Sequence, residues 1–200
     1  MVTEKNSRSP WAWIPTLYFA EGLPNVIVTA LSVVMYMQLG LTDAEVGLYT
    51  GWLALPWVIK PLWSPFIDLL KTKRWWVLTM QALIGAALAG IAFSLPTAFW
   101  FQATMCFFFL IAFCSATHDI SADGFYMIEL DEHTQTKFVG LRNTFYRLAI
   151  IFVNGFLVML ASGSLPQPDS LLMGAYLLRT GRYLHRFVAL PQPLHASPEG

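Results

Sequence analysis

Two carboxylates, Asp119 and Asp123, stand one helical turn apart at the end of an apolar stretch that opens at Phe99 and runs through Ala116. An ionisable side chain at mid-bilayer costs roughly 2.5–3.5 kcal/mol on insertion scales, so it usually faces a water-filled cavity or a partner and marks a transport path. Ser115, Asp119 and Asp123 recur every four residues and share one helix face. Two readings of the pair stand side by side. In one, a carboxylate carries a coupling proton, held there by burial and by its like-charged neighbour. In the other, both are solvated or salt-bridged at the interface and stabilise a helix hairpin. Glu21, just before Gly22 and Pro24, is a third acid of the same kind. A Gly/Pro interruption can free backbone groups that line a cavity, but a place in the headgroup layer a few residues past Trp13 is the simpler reading for it.

Partners for the pair follow from helix rise. Counted inward from Met127, Asp123 lies about 6 Å and Asp119 about 12 Å deep at about 1.5 Å per residue. Counted from Phe138 on the next, antiparallel helix, Arg142 lies about 6 Å and Arg147 about 13 Å deep. Buried charges are usually paired, so the levels predict Asp123–Arg142 and Asp119–Arg147 contacts. Asp119, the deeper acid, is expected to matter more for coupling, with Arg147 engaging and releasing it. His118 lies about 100° round the helix from Asp119 and reads as a packing or hydrogen-bonding residue. No clustering of His and Cys points to a metal, and no cofactor is implied. Cys106 and Cys114, about 12 Å apart on one helix, cannot bridge each other.

The elements that must position these groups are membrane helices. The chain is 56% hydrophobic, 15% aromatic and only 12% charged, with a mean hydropathy of +0.54, which leaves too few charges to coat a soluble domain. The formal charge is zero and no basic block suggests nucleic acid. Five stretches of about 20 residues are long enough to span: Tyr18–Met37, Glu45–Phe66, Trp75–Leu95, Phe99–Phe125 and Phe138–Ala161. Pro56 and Pro61 interrupt the second, which a membrane helix tolerates when neighbours satisfy the freed carbonyls. The fold class is therefore all-α integral membrane, with residues 1–17 a cytoplasmic N-terminal segment, 18–161 a helical bundle and 162–200 a polar irregular tail.

Lys5 and Arg8 precede the first span, Lys71, Lys73 and Arg74 follow the second, and Lys137 and Arg142 follow the fourth, while the loops Leu39–Ala44 and Leu95–Thr97 hold no basic residue. Positive charge accumulates on the cytoplasmic side, so the N terminus is expected there. Nothing resembles a cleavable signal peptide; the polar start runs into Trp11 and Trp13 as an interfacial aromatic belt. Beyond Ser164 the membrane period stops, and Arg179, Arg182 and Arg186 stand where a sixth span is expected. A frameshift or truncation is the expected origin of that tail.

The loop Ser64-Pro65-Phe66-Ile67-Asp68-Leu69-Leu70-Lys71-Thr72-Lys73-Arg74 resembles the signature loop of the major facilitator superfamily, in which a small residue, an Asp four positions on and a basic cluster join the second and third helices. Asp68, Lys71, Lys73 and Arg74 match; Ser64 stands where glycine is usual, and the loop glycine is replaced near Thr72. Asp68 can latch one side of the bundle by accepting from helix amides or a neighbouring Arg; the plainer reading is a basic loop that only sets orientation. Tyr18-Phe19-Ala20-Glu21-Gly22-Leu23-Pro24, Leu62-Trp63-Ser64-Pro65 with Asp68, and Cys114-Ser115-Ala116-Thr117-His118-Asp119-Ile120-Ser121-Ala122-Asp123 resemble the AmpG-type muropeptide permeases, a branch of that superfamily. Arg147-Leu148 falls where that branch has a Tyr-Arg-Leu. The resemblance covers about Trp11 to Leu160.

It implies proton-coupled solute uptake across a bacterial inner membrane, with muropeptides as solute, the lipid bilayer as surroundings and alternating access about a midplane site. It also implies two six-helix halves. Five helices cannot enclose a central path unless another chain supplies the C-terminal half, so a non-transporting fragment is the alternative. The Asp119-x-x-x-Asp123 spacing also occurs in membrane-embedded metal-dependent phosphotransferases, but those carry a second Asp pair upstream with Gly and Arg at fixed offsets, and none is present here. The chain does not read as an enzyme.

Overall fold

The computed structural model describes residues 9–157, an all-helical bundle in which no strand occurs among the described residues. The first helix opens at Pro10, eight residues before the expected Tyr18: Ser9 precedes it and Pro10 takes the first helical position, where a missing N–H costs nothing. It runs as α1 (Pro10–Val26), a π-helical stretch (Ile27–Leu31) and α2 (Ser32–Gln38), together 29 residues. Pro24 removes a donor just before the wide turns, a common cause of such a distortion. Trp13, expected in an interfacial belt, is buried against Phe125 and Tyr126 instead. Gly40, at φ 92°, adopts the left-handed conformation that ends the helix.

Thr42 then caps α3 (Asp43–Trp52): its backbone N–H donates to Glu45 Oε2 at 2.9 Å, and its hydroxyl accepts from the Glu45 N–H at 3.4 Å. The second span is broken. α4 (Leu55–Ile59), a 3-10 turn (Lys60–Leu62) and α5 (Ser64–Leu70) follow, and the chain bends by 59° where α5 begins. Pro56, Pro61 and Pro65 each sit near the start of one of these pieces, where proline is tolerated but the preceding helix cannot continue.

α6 (Lys73–Ser94) starts on Thr72, whose hydroxyl accepts from the Trp75 N–H at 3.2 Å, and α7 (Trp100–Glu129) is the longest helix. α8 (Glu132–Ile151) follows after a single turn, capped by Asp131 and continued by π-helical residues Phe152–Leu157. Three helical stretches, Pro10–Gln38, α6 and α7, are long and apolar enough to cross a membrane, and the bent α3–α5 stretch makes a fourth. The expected fifth span, Phe138–Ala161, lies on α8 and runs past the described residues. So do the tail 162–200 and the first eight residues of the expected N-terminal segment.

Two apolar clusters hold the bundle. One joins Leu23, Ile27 and Met35 with Ile84, Leu88 and Ile91 of α6 and Phe108 and Ile111 of α7. The other joins Trp13, Leu17 and Tyr18 with Val77, Phe125 and Tyr126. α1 and α8 approach closely: a Cβ on Gly22 would lie 2.8 Å from Ala149 Cβ and 3.0 Å from the Tyr146 carbonyl oxygen. Only glycine fits there.

Candidate functional site

Four helical segments bring charge together where the two apolar clusters meet. Asp119 of α7 ion-pairs with Lys60, in the 3-10 turn between α4 and α5. One turn along, Asp123 accepts from Arg142 of α8 at 2.8 Å and from the Tyr18 hydroxyl of α1 at 3.2 Å. The Arg142 guanidinium lies over the rings of Tyr18 and Tyr126, at 4.7 and 5.6 Å from their centroids. Glu21 completes the layer. Its side chain is buried beside Asp119, and its Oε2 has no hydrogen-bond partner among the described residues. Lys60 is 37% exposed and Asp119 21%, so the layer is open to one side of the bundle.

The expected Asp123–Arg142 contact is therefore present. The expected Asp119–Arg147 contact is not: Lys60 takes Asp119, and Arg147 is exposed on another face of α8 with no ion pair among the described residues. Sequence reasoning passed over Lys60 because the surrounding prolines drew attention to the backbone. The signal was available, since a lysine inside an apolar stretch calls for a partner as an acid does. Glu21, for which a place in the headgroup layer was the simpler expectation, is enclosed by protein. With α1 starting at Pro10, Glu21 lies about 17 Å along the helix and is buried within the bundle.

Behind the layer, His118 is fully enclosed, with its Nε2 2.9 Å from the Gln81 amide nitrogen. The amide donates to Nε2, which leaves the ring proton on Nδ1, an atom without a hydrogen-bond partner among the described residues. Tyr146 of α8 packs against Gly22, next to Glu21. Among the described residues no three His, Cys, Asp or Glu side chains are placed to hold a metal ion together.

The loop residues form a separate contact. Asp68 on α5 ion-pairs with Lys73 at the start of α6. The Lys73 side chain crosses α7 at Gly124, where a Cβ would lie 2.6 Å from Lys73 Cε. Lys71 stacks over Trp75 at 5.9 Å, and Ser64 opens α5.

An all-helical bundle with apolar spans and a charged interior drawn from four helical segments defines a multi-pass membrane protein. The chain belongs to the BT1 family, whose profile matches residues 21–171. That family is of the major facilitator type and includes the AmpG-type permeases. The match runs past Ser164, where the membrane period of the sequence stops. The chain is similar to the anhydromuropeptide permease of Escherichia coli K12, with 30% identity over 155 residues, covering 72% of this chain and 30% of the relative. It is similar to an uncharacterized protein of Haemophilus influenzae, with 30% identity over 181 residues, covering 86% of this chain and 41% of the relative. An uncharacterized protein of Schizosaccharomyces pombe is 24% identical over 160 residues, 72% of this chain and 30% of the relative. The chain thus spans less than half the length of these curated relatives. No solved structure matches it significantly.

Proposed function

We propose that this chain is the N-terminal helical part of a proton-coupled solute carrier, with its N terminus in the cytoplasm, and that its solute is a muropeptide, as for the anhydromuropeptide permease of Escherichia coli to which it is similar. The observation that carries the proton is a charge imbalance. The layer holds three acids, Glu21, Asp119 and Asp123, against two cations, Lys60 and Arg142. An uncompensated buried carboxylate is expensive, and a proton is the cheapest way to neutralise it. Asp119 and Asp123 each have a cation; Glu21 has none in direct contact among the described residues. Glu21 is the group that most needs the proton, with Asp119 beside it able to take the proton over whenever Lys60 withdraws. Coupling then follows from linkage: the state that keeps Lys60 on Asp119 and the state that releases it differ in proton affinity.

The test uses a strain deleted for its own muropeptide permease and carrying this chain together with the C-terminal half of a related permease. Accumulation of labelled anhydromuropeptide should collapse with a protonophore, and Glu21→Gln should abolish accumulation while leaving solute exchange measurable. Normal accumulation by Glu21→Gln under a proton gradient would make the layer structural. The fragment reading predicts instead no uptake even when that C-terminal half is supplied.

A further inference from the structure

α8 carries charge on two sides. Arg142 turns into the bundle, onto Asp123 and two tyrosine rings. Arg147, five residues on, is exposed and makes no hydrogen bond or ion pair among the described residues. Its depth is fixed by its neighbours: Tyr146 and Ala149 both pack against Gly22, the residue next to Glu21. Arg147 therefore lies level with the carboxylate layer but on another side of the helix. Left against hydrocarbon at that depth it would cost roughly 2.5–3.5 kcal/mol on insertion scales. The exposed residues around it are mixed: Val139, Leu148 and Ile151 are apolar, but a polar set accompanies Arg147. Thr136, Gly140, Asn143, Thr144, Arg147 and Asn154 are all exposed and follow one another at helical spacing, a polar stripe about 27 Å long. Such a stripe needs water along it.

We infer that this stripe lines the aqueous side of the path and that Arg147 holds an anionic group, a carboxylate or phosphate, of the transported solute. The inference rests on the carrier reading and narrows its solute to molecules bearing at least one such group. Arginine suits the task, since its planar fork meets both oxygens of a carboxylate or phosphate and stays charged at any working pH. The Asn143 amide, one turn back, supplies a neutral donor beside it.

The test needs no transport. In the full chain with Cys106→Ser and Cys114→Ala, Asn143→Cys is reconstituted in phosphatidylcholine vesicles and treated with an anionic sulfonatoethyl or a cationic trimethylammonioethyl methanethiosulfonate reagent. Both should react. The anionic-to-cationic rate ratio should fall about tenfold on Arg147→Gln, the effect in water of one unit charge about 6 Å away acting with opposite sign on the two reagents. Arg147→Lys should restore most of the ratio. Inorganic phosphate, or a dipeptide with a free C-terminal carboxylate, should slow the anionic reagent, and the dipeptide amide should not. No reaction with either reagent would show the stripe covered by lipid or protein and overturn the inference. A ratio indifferent to Arg147→Gln would overturn it too, as would slowing seen only with phosphatidylglycerol in the vesicles, which would assign Arg147 to a lipid headgroup. Loss of uptake with the labelling pattern intact would instead count against the carrier reading.

Discussion

Removing Arg142 should cost far more than removing Arg142 and Asp123 together. Two unit charges about 4 Å apart attract by about 4 kcal/mol at an effective dielectric constant of about 20. Here the pair is at 2.8 Å, but the side chains are 28% and 34% exposed, and solvent screening reduces the attraction to about 2 kcal/mol. The two ring contacts of Arg142 add about 0.5–1 kcal/mol each. Arg142→Ala should therefore destabilise the bundle by about 3–4 kcal/mol and strand Asp123 between Tyr18 and Asp119. Adding Asp123→Asn removes the stranded charge and still accepts from the Tyr18 hydroxyl, so the double variant should recover about 2 kcal/mol. Reversible unfolding in mixed detergent micelles, followed by circular dichroism as the denaturing detergent fraction rises, measures all four corners of the cycle. If the costs of Arg142→Ala and Asp123→Asn simply added in the double variant, the 2.8 Å contact would carry no net energy, and the reasoning from paired charges would fail for the whole layer.

Lys60→Met should impair stability and insertion more than Lys60→Met with Asp119→Asn, because the single change leaves Asp119 beside Glu21 without a cation; the same micelle titration decides it, and a worse double variant would show that Lys60 is not its partner. Gly22→Val should cost about 1–3 kcal/mol by overpacking, since its Cβ meets Ala149 Cβ at 2.8 Å and a backbone oxygen that cannot move aside, and Ala149→Gly should recover part of that cost. Gly124→Ala should cost little alone, because a flexible lysine can swing away, but it should separate Lys73 from Asp68, so thiol labelling of Asp68→Cys should become insensitive to Lys73→Ala in that background. The α8 cap has a pH signature: the Asp131 carboxylate, held below the usual range by hydrogen bonding from Thr134, stabilises the fold fully above about pH 3.9 and loses this as pH falls through its lower folded value. The stability gap between the wild-type chain and Asp131→Ala should accordingly shrink below about pH 4, and a gap constant down to pH 2 would contradict it.

Much of this arrangement was legible from residue types. The apolar stretches located three of the expected spans and the broken second one, and equal depth on antiparallel helices found Asp123–Arg142. Three features escaped for distinct physical reasons. The start of α1 was set too late because tryptophans near a chain start look like an interfacial belt, while the Ser9-Pro10 start signal carried the true boundary. Arg147 was matched to Asp119 on depth alone, yet depth fixes only one coordinate of a helix. Arg142 and Arg147 differ by about 140° around the axis at about 100° per residue, so α8 could not easily turn both toward α7. The Lys60 partner depended on a broken helix, and the direction taken after a proline break is decided by packing partners, which periodicity does not encode.

The two ion pairs of the layer differ in how firmly they are held. Arg142 is fixed from three sides, by Asp123, by the Tyr18 ring on α1 and by the Tyr126 ring on α7, so moving it disturbs three contacts at once. Lys60 has a single ion-pair partner among the described residues, sits on a three-residue turn next to Pro61, and is the more exposed of the two cations. It also belongs to the bent span, whose far piece, α5, is tied to α6 through Asp68 and Lys73. A shift of α5 against α6 can thus reach Asp119 through a few residues of α4 and its turn, while the Arg142 clamp keeps α1, α7 and α8 together as one body. On the carrier reading, Lys60–Asp119 is therefore the pair that opens and Asp123–Arg142 the pair that stays. The break in the second span then becomes the hinge between the loop and the proton site.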